Sequence, residues 1–191
     1  MTTNQRRRWL IFVGLAIAVL VSDQLSKLWI DANFGLAYPR PGTGFDAPTP
    51  VIGDFVRIAK SYNSGGIFGI FGSSAPVLAL ASIGVMALIV YYHAREGIRG
   101  HWLLTVALGL LLGGALGNFA DRARIGHVID FVDMGIGDLR WYTFNVADAA
   151  ISSSIVLFIG LSLLGNRLNR VREAATTEDT VPNSAPAEAQ Q

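Results

Sequence analysis

The apolar residues of this chain fall into four long runs separated by polar stretches of unequal length: Trp9 to Ile30, Ala75 to Tyr92, Trp102 to Phe119 and Phe144 to Leu164. At about 1.5 Å of rise per residue, runs of this length reach across a hydrocarbon core of about 30 Å. The pattern predicts an all-α integral membrane protein with four transmembrane helices, at about 9–30, 75–92, 102–119 and 144–164. Pro76 falls in the first turn of the second run, where proline is tolerated. Gly109, Gly113 and Gly117 recur every fourth residue of the third and form a small-residue face for close helix packing. The first run also suits a cleaved signal peptide, because a basic head precedes it. Its length, and the position of Ala16 and Ala18 in its middle, favour an uncleaved helix.

The intervening stretches differ in kind. Residues 93–101 form a short link. Residues 31–74 carry Pro39, Pro41, Pro48 and Pro50, which argue against a continuous helix. VIGDFVRI at 51–58 suits an exposed strand, and YNSGGIFGIFG at 62–72 mixes turn formers with apolar residues that can rest on a membrane surface. This predicts a small β-rich cradle on the outer face of the membrane; the other long connection, 120–143, lies on that same side.

Composition agrees with the pattern. Of 191 residues, 51% are hydrophobic and only 15% charged, against about 25% charged in soluble domains. Arginines 6, 7 and 8 precede the first run, Arg95 and Arg99 lie in the short link, and Arg167, Arg170 and Arg172 follow the fourth run. With four spans all three groups fall on one side, which the positive-inside rule makes cytoplasmic. The expected organisation is a basic cytoplasmic N-terminus at 1–8, one membrane domain at 9–165, and a disordered cytoplasmic tail at 166–191. The helix ends bearing Asp23, Asp121, Asp130 and Asp148 then face outward.

The formal net charge of +1, with no basic stripe, points away from nucleic acid. The absence of cysteine excludes disulfides and a cysteine nucleophile. His93, His101 and His127 have no metal-ligand spacing and read as polar flank residues, so no metal and no cofactor is expected.

Candidate chemistry concentrates between Gly113 and Asp148. Carboxylates at the mouths of apolar helices are costly and therefore candidate functional groups. Asp130 and Asp148 make the best pair, since each is flanked by apolar residues. Two carboxyls held close share a proton, so one can activate water while the other polarises a carbonyl and protonates a leaving amine. Asp121 suits a charge network with Arg122 or Lys27. Asp23 and Lys27, at i and i+4, can pair on one helix face, whether to make each other tolerable in the membrane or to line the site. Asn118 and Asn145 can orient carboxylates, bind a substrate backbone or cap helix ends. Arg122 can clamp a carbonyl or an acidic head group. Asp133 and Asp138 read as solvated loop acids, and Ser152, Ser153 and Ser154 as helix-packing residues. An ion-conducting path, a lipid phosphatase and a structural membrane subunit are the competing readings. The first predicts polar groups at mid-bilayer depth, the second more basic residues or a metal site, and the third leaves the paired aspartates without a role.

Over residues 9–165 the chain resembles the bacterial lipoprotein signal peptidases, also called signal peptidase II. The resemblance rests on Asp23 with Lys27, on Asn63–Ser64–Gly65–Gly66–Ile67–Phe68, on Gly113–Gly114 followed by Asn118 and Asp121–Arg122, on Val128–Ile129–Asp130–Phe131, and on Phe144–Asn145–Val146–Ala147–Asp148. It implies a four-helix, metal-independent aspartic endopeptidase of the bacterial cytoplasmic (inner) membrane. Such an enzyme cuts diacylglyceryl-modified prolipoproteins on the amino side of the lipidated lipobox cysteine, among membrane phospholipid. Globomycin is its implied inhibitor. Asp130 and Asp148 match the family's catalytic pair. Asn63, Gly65, Asn118, Arg122 and Asn145 match its substrate-binding and site-shaping positions, and Asp23, Lys27 and Asp121 its further polar positions. Gly66 stands where many relatives carry alanine, and the proline-rich insert at 37–50 is longer than in compact relatives. The 54–72 segment is expected to close over bound substrate as a lid.

Overall fold

A computed structural model describes residues 1–37, 46–64, 75–97 and 100–179, with the side chains of 75, 76, 97 and 165–179 excepted. Gly65, Gly66 and the rest of 65–72, the second part of the expected lid, lie outside the described residues, as does most of the proline-rich insert.

Among the described residues, four helices are long and apolar enough to cross a membrane. The first, α1, spans Thr3–Asn33 and starts earlier than its apolar run because Thr2 and Gln5 form a reciprocal capping box. Helix α2, Ala75–Tyr92, continues into a π-helical turn at His93–Gly97. Helix α3, Trp102–Ile125, passes through Asn118, Asp121 and Arg122 without breaking. Polarity alone does not end a helix whose polar groups have partners. The stop comes at Gly126, whose φ of 76° gives the left-handed cap. Helix α4 opens at Val146 and runs to Asp179, so its backbone is helical over much of the tail expected to be disordered, while 180–191 lie outside the described residues.

Helix α3 is the hub of the bundle. Gly109 and Gly113 meet the backbone of Phe12 and Ala16 in α1, and Gly114 meets the carbonyl of Ala147 in α4. The small-residue face thus serves packing, as its spacing suggests. Beside it Phe12, Ala16, Ile89, Leu108 and Leu112 form a buried cluster. His93 departs from the expected polar flank. It is fully buried, stacked on Phe12 at 4.0 Å with Trp9 against its edge, because its ring fills the gap between the α2 end and α1. Of the serines, Ser154 is buried and bonds back to Ile151, whereas Ser152 and Ser153 are exposed.

At the bundle end where α1 and α3 finish and α4 begins lies a four-stranded antiparallel sheet, ordered β1 (Thr49–Ile52), β2 (Val56–Asn63), β3 (Val128–Ile136) and β4 (Leu139–Arg140). Residues 51–58 form a hairpin rather than a single strand, because Gly53 turns the chain with φ 51°. Ile129 and Phe131 pack on Ile30 of α1, which seats the sheet on the helices. Asp133 corrects the solvated-acid expectation. Its side chain is 1% exposed and clamped by Arg57 and Arg140. The loop-like sequence shows neither the strand alternation at Asp133 nor its two arginines, which lie on the strands to either side, Arg57 on β2 and Arg140 on β4.

Replacing Gly113 with leucine should destabilise the bundle by about 1–3 kcal/mol, since even a Cβ there would come within 2.8 Å of the Ala16 carbonyl. Denaturant titration of the protein in detergent micelles measures this, and an unchanged midpoint would refute tight α1–α3 contact.

Candidate active site

Site residues come from five elements that converge below the sheet. From α1 come Asp23 and Lys27, one turn apart on a buried face. Lys27 Nζ lies 2.7 Å from Asp23 Oδ2 and 2.9 Å from Asp121 Oδ2 of α3, and donates to Asn118 Oδ1 at 3.2 Å. An ammonium has three N–H donors, so Lys27 is saturated. The carboxylates are satisfied in turn. Asp23 Oδ1 accepts the N–H of Ala147 at 2.9 Å, one of the unbonded amides of the first turn of α4. Asp121 Oδ2 accepts the N–H of Ile129 at 3.3 Å, at the start of β3. The Gln24 amide donates to both acids, at 3.2 Å to Asp23 and 3.0 Å to Asp121. Gly117 is required here because a Cβ would strike the Asp23 carboxylate. Asp121 therefore pairs with Lys27, while its sequence neighbour Arg122 turns elsewhere.

Asn118 relays this cluster to Asp148. An ammonium can only donate, so Asn118 presents its oxygen to Lys27 and its NH2 group to Asp148 Oδ1, at 2.8 Å. Asn145 is the N-cap of α4. Its Oδ1 accepts the N–H of Asp148 at 2.9 Å, and Asp148 Oδ2 accepts the Asn145 N–H at 3.3 Å, a reciprocal capping box. That geometry points the Asn145 NH2 group at Asp130 Oδ1, 2.7 Å away. Asn145 thereby joins the two aspartates. Asn63, at the end of β2, pairs with Val128 in register, which puts Asp130 diagonally across on the same face. The Asn63 NH2 group donates to Asp130 Oδ2 at 3.1 Å.

The two carboxyls differ in surroundings. Asp130 is 3% exposed, between Ile129 and Phe131, whereas Asp148 is half-buried in the first turn of α4. Burial, and next the nearby Asp148 charge, push the Asp130 carboxyl up to about 7, against the pull of its Asn63 and Asn145 bonds. Arg122 is half-buried, and the charges of Asp148, Asp130 and Asp121 all act on it. Its Nη1 donates to the Asn118 carbonyl at 3.4 Å, and its buried Nε has no hydrogen-bond partner among the described residues. No group of three metal-ligating side chains occurs among the described residues. A cavity of about 380 Å³ lined by Phe34, Asp46, Thr49, Ile58 and Lys60 lies elsewhere, touching neither aspartate.

The structure thus brings together Asp23, Lys27, Asn63, Asn118, Asp121, Arg122, Asp130, Asn145 and Asp148. Gly65 lies outside the described residues. Gln24 was missed as a member; its position between Asp23 and Lys27, on a helix turn already carrying both charges, was the available signal.

Residues 15–164 match the family model described as signal peptidase (SPase) II. The chain belongs to the signal peptidase II family. Among curated relatives of this peptidase family it is 37% identical to the lipoprotein signal peptidase of Moorella thermoacetica over 153 residues, 80% of this chain and 93% of that one. It is 32% identical to that of Staphylococcus carnosus over 161 residues, 84% and 95% of the two chains. A bacterial membrane enzyme solved by the in meso method superposes with a TM-score of 0.69 at 25% identity, covering 94% of each chain. A second, solved by the same method, gives 0.67 at 28% identity over 80% of this chain and 92% of that one. The resemblance read from the motifs is therefore correct, and so is the fold of four membrane helices with a small sheet.

Two predictions follow from the peptidase's buried charges. Lys27→Met leaves Asp23 and Asp121 buried without their cation and should cost about 3–5 kcal/mol of stability. Adding Asp121→Asn should recover part of it, and an unchanged single variant in denaturant titration would refute the ion cluster. Asp130 binds its proton more tightly folded than unfolded, so its contribution is fully present below about pH 4 and is lost as pH rises to about 7. The Asp130→Asn chain should lack that decline, which amounts to up to about 4 kcal/mol. Parallel stability curves for parent and variant from pH 4 to 8 would contradict the raised carboxyl.

Proposed function

We propose that this peptidase is an aspartic endopeptidase that removes the signal peptide from diacylglyceryl-modified prolipoproteins, cutting on the amino side of the lipidated lipobox cysteine. The observation that carries the reading is the Asn145 bridge, which ties a buried carboxyl on a strand to a half-buried carboxyl in the first turn of a helix.

In this mechanism Asp148 is the ionised member. It receives the Asn118 NH2 group and the Asn145 N–H, and it sits where a helix N-terminus favours negative charge. Asp130 holds the proton, kept there by burial and by the neighbouring charge. Asp148 draws a proton from water as it attacks the scissile carbonyl. Asp130 donates its proton to the carbonyl oxygen, and a proton is passed to the leaving amine as the tetrahedral intermediate collapses. Asn63 and Asn145 hold Asp130 in place. Arg122, with an unused buried Nε, is suited to a carbonyl oxygen of the substrate backbone.

The enzyme lies in the bacterial cytoplasmic membrane with both termini inside, by the arginine bias of residues 6–8, 95–99 and 167–172. The site then opens at the outer boundary, where phospholipid surrounds it and an acylated cysteine resides. Globomycin is expected to inhibit by occupying the same groove. The Lys27 cluster argues against an ion path, since each of its charged groups is already saturated by fixed partners.

The test uses purified full-length protein in lipid with a diacylglyceryl-modified prolipoprotein and chelator throughout, read by mass. The parent should cut before the lipidated cysteine, and Asp130→Asn and Asp148→Asn should each lose at least about a hundredfold in rate. For the parent, kcat/KM should fall as pH rises above about 7, where Asp130 loses its proton. Full activity in either folded variant would overturn the aspartic mechanism.

A further inference from the structure

Away from the carboxylates, the sheet holds its two turns side by side with a four-membered ion cluster. Asp133 takes Arg57 on one carboxylate oxygen, at 2.6 and 2.9 Å, and Arg140 on the other, at 3.0 Å. Asp54, in the β1–β2 turn, accepts from Arg57 at 3.0 Å, from Arg140 at 3.3 Å and from the N–H of Gly137 in the β3–β4 turn at 3.0 Å. The Phe55 carbonyl accepts the Gly135 N–H at 3.0 Å, and the Asp54 carbonyl accepts Arg140 Nη1 at 2.7 Å. Two acids and two guanidiniums cancel in charge, and the two hairpins become one rigid unit.

What this brace holds outward is largely apolar, with the exposed acid Asp138 at the second tip as the exception. Ile52 and Phe55 project from the first hairpin and Ile136 and Leu139 from the second, and Trp141 and Tyr142 follow directly. Leu139 is 83% exposed and Ile136 75%, as bare as Leu10 at 74% on the outer face of α1. A patch of this kind needs a cover.

We propose that the twin hairpin tips dip into the headgroup–acyl boundary of the same bilayer that holds the helices, and so anchor the sheet to the lipid. Continuity with the membrane surface favours lipid as the occupant. Trp141 and Tyr142 lead within a few residues into α4 at Val146, and Trp29 lies exposed near the end of α1. Tryptophan and tyrosine beside a helix mouth form the aromatic belt of a membrane–water boundary. The internal cancellation of charge in the brace, with only the acid Asp138 left over at the second tip, makes apolar burial, rather than attraction to anionic head groups, the driving term. The anchor fixes the height of Asn63 and Asp130, which ride on the same sheet, relative to the helix ends bearing Asn118 and Asp148.

The chain has no cysteine, so single labels are clean. Leu139→Cys and, separately, Ile136→Cys carry a nitroxide in full-length protein reconstituted into zwitterionic and into anionic bilayers. Both positions are too exposed for the change to disturb the core. At each position the label should collide more often with dissolved oxygen than with a water-soluble nickel complex, equally in both lipids. Brominated lipid should quench parent fluorescence, and Trp141→Phe should remove part of that quenching. Free access of the nickel complex to both labels would overturn the proposal. So would depth seen only in anionic bilayers, or spin–spin broadening that shows a second copy of the chain on the tips.

Discussion

Lys27 sits with its ammonium fully buried between Asp23 and Asp121, and the geometry of the carboxylate site is referenced to it. A lone cation in such a place would be prohibitive; with two anions and an amide oxygen it becomes a fixed point. Each of its acids reaches one element further. Asp23 holds the first turn of α4 through Ala147, and Asp121 holds the start of β3 through Ile129. Those are the two segments that carry Asp148 and Asp130. One ion cluster thus sets the mutual position of the two aspartates without touching either, and the glycines of α3 permit it, since Gly117 leaves the space the Asp23 carboxylate occupies.

Direction travels through this network as well as position. Lys27 can only donate, which fixes the Asn118 amide and turns its NH2 group toward Asp148. The free N–H of Asp148 fixes the Asn145 amide and turns its NH2 group toward Asp130. Asn145 is at once a helix cap and a bridge between carboxyls, so the reading of that residue as a cap and its reading as a site residue were never in competition.

Much of this was legible in the chain. Apolar run length alone located four helices, and the acids at the ends of those runs pointed to the candidate site. The Asp23–Lys27 pairing followed from i,i+4 spacing. Other features depend on long-range partners that no local window contains. Asp133 looked like a loop acid because Arg57 lies on another strand and strand alternation was not recognisable in DMGIGD. His93 looked like a flank residue because the aromatic pocket that buries it comes from the other end of the apolar pattern, at Trp9 and Phe12. Helix ends were displaced for a different reason. Polar residues were read as stops, yet the chain ends α3 only where Gly126 supplies the left-handed turn, and it starts α1 where Thr2 supplies the cap.

The polar groups divide into those the fold satisfies and those it leaves short. Lys27, Asp23 and Asp121 have a partner for nearly every lone pair and proton, and so do Asp133, Arg57 and Arg140. Both clusters are closed systems whose charges serve geometry. Around Asp130 the accounting is different. Its carboxyl is buried beside another acid, and Arg122 nearby retains a buried N–H with no acceptor among the described residues. Leaving a buried donor unpaired costs about 1–3 kcal/mol, and burying a carboxyl beside a like charge costs more. Beside one another and next to Asp148, these two deficits are placed so that a single bound group can complete both. A backbone carbonyl of a bound peptide, with a water between the two carboxyls, would supply the missing acceptor for Arg122 and a use for the shared proton. The His93 ring nitrogens, also without a partner among the described residues, lie at the opposite end against Trp9 and Phe12, whereas the Arg122 and Asp130 deficits lie together at the end that carries both aspartates, which is the placement surface peptidase chemistry requires and an ion path through the membrane does not.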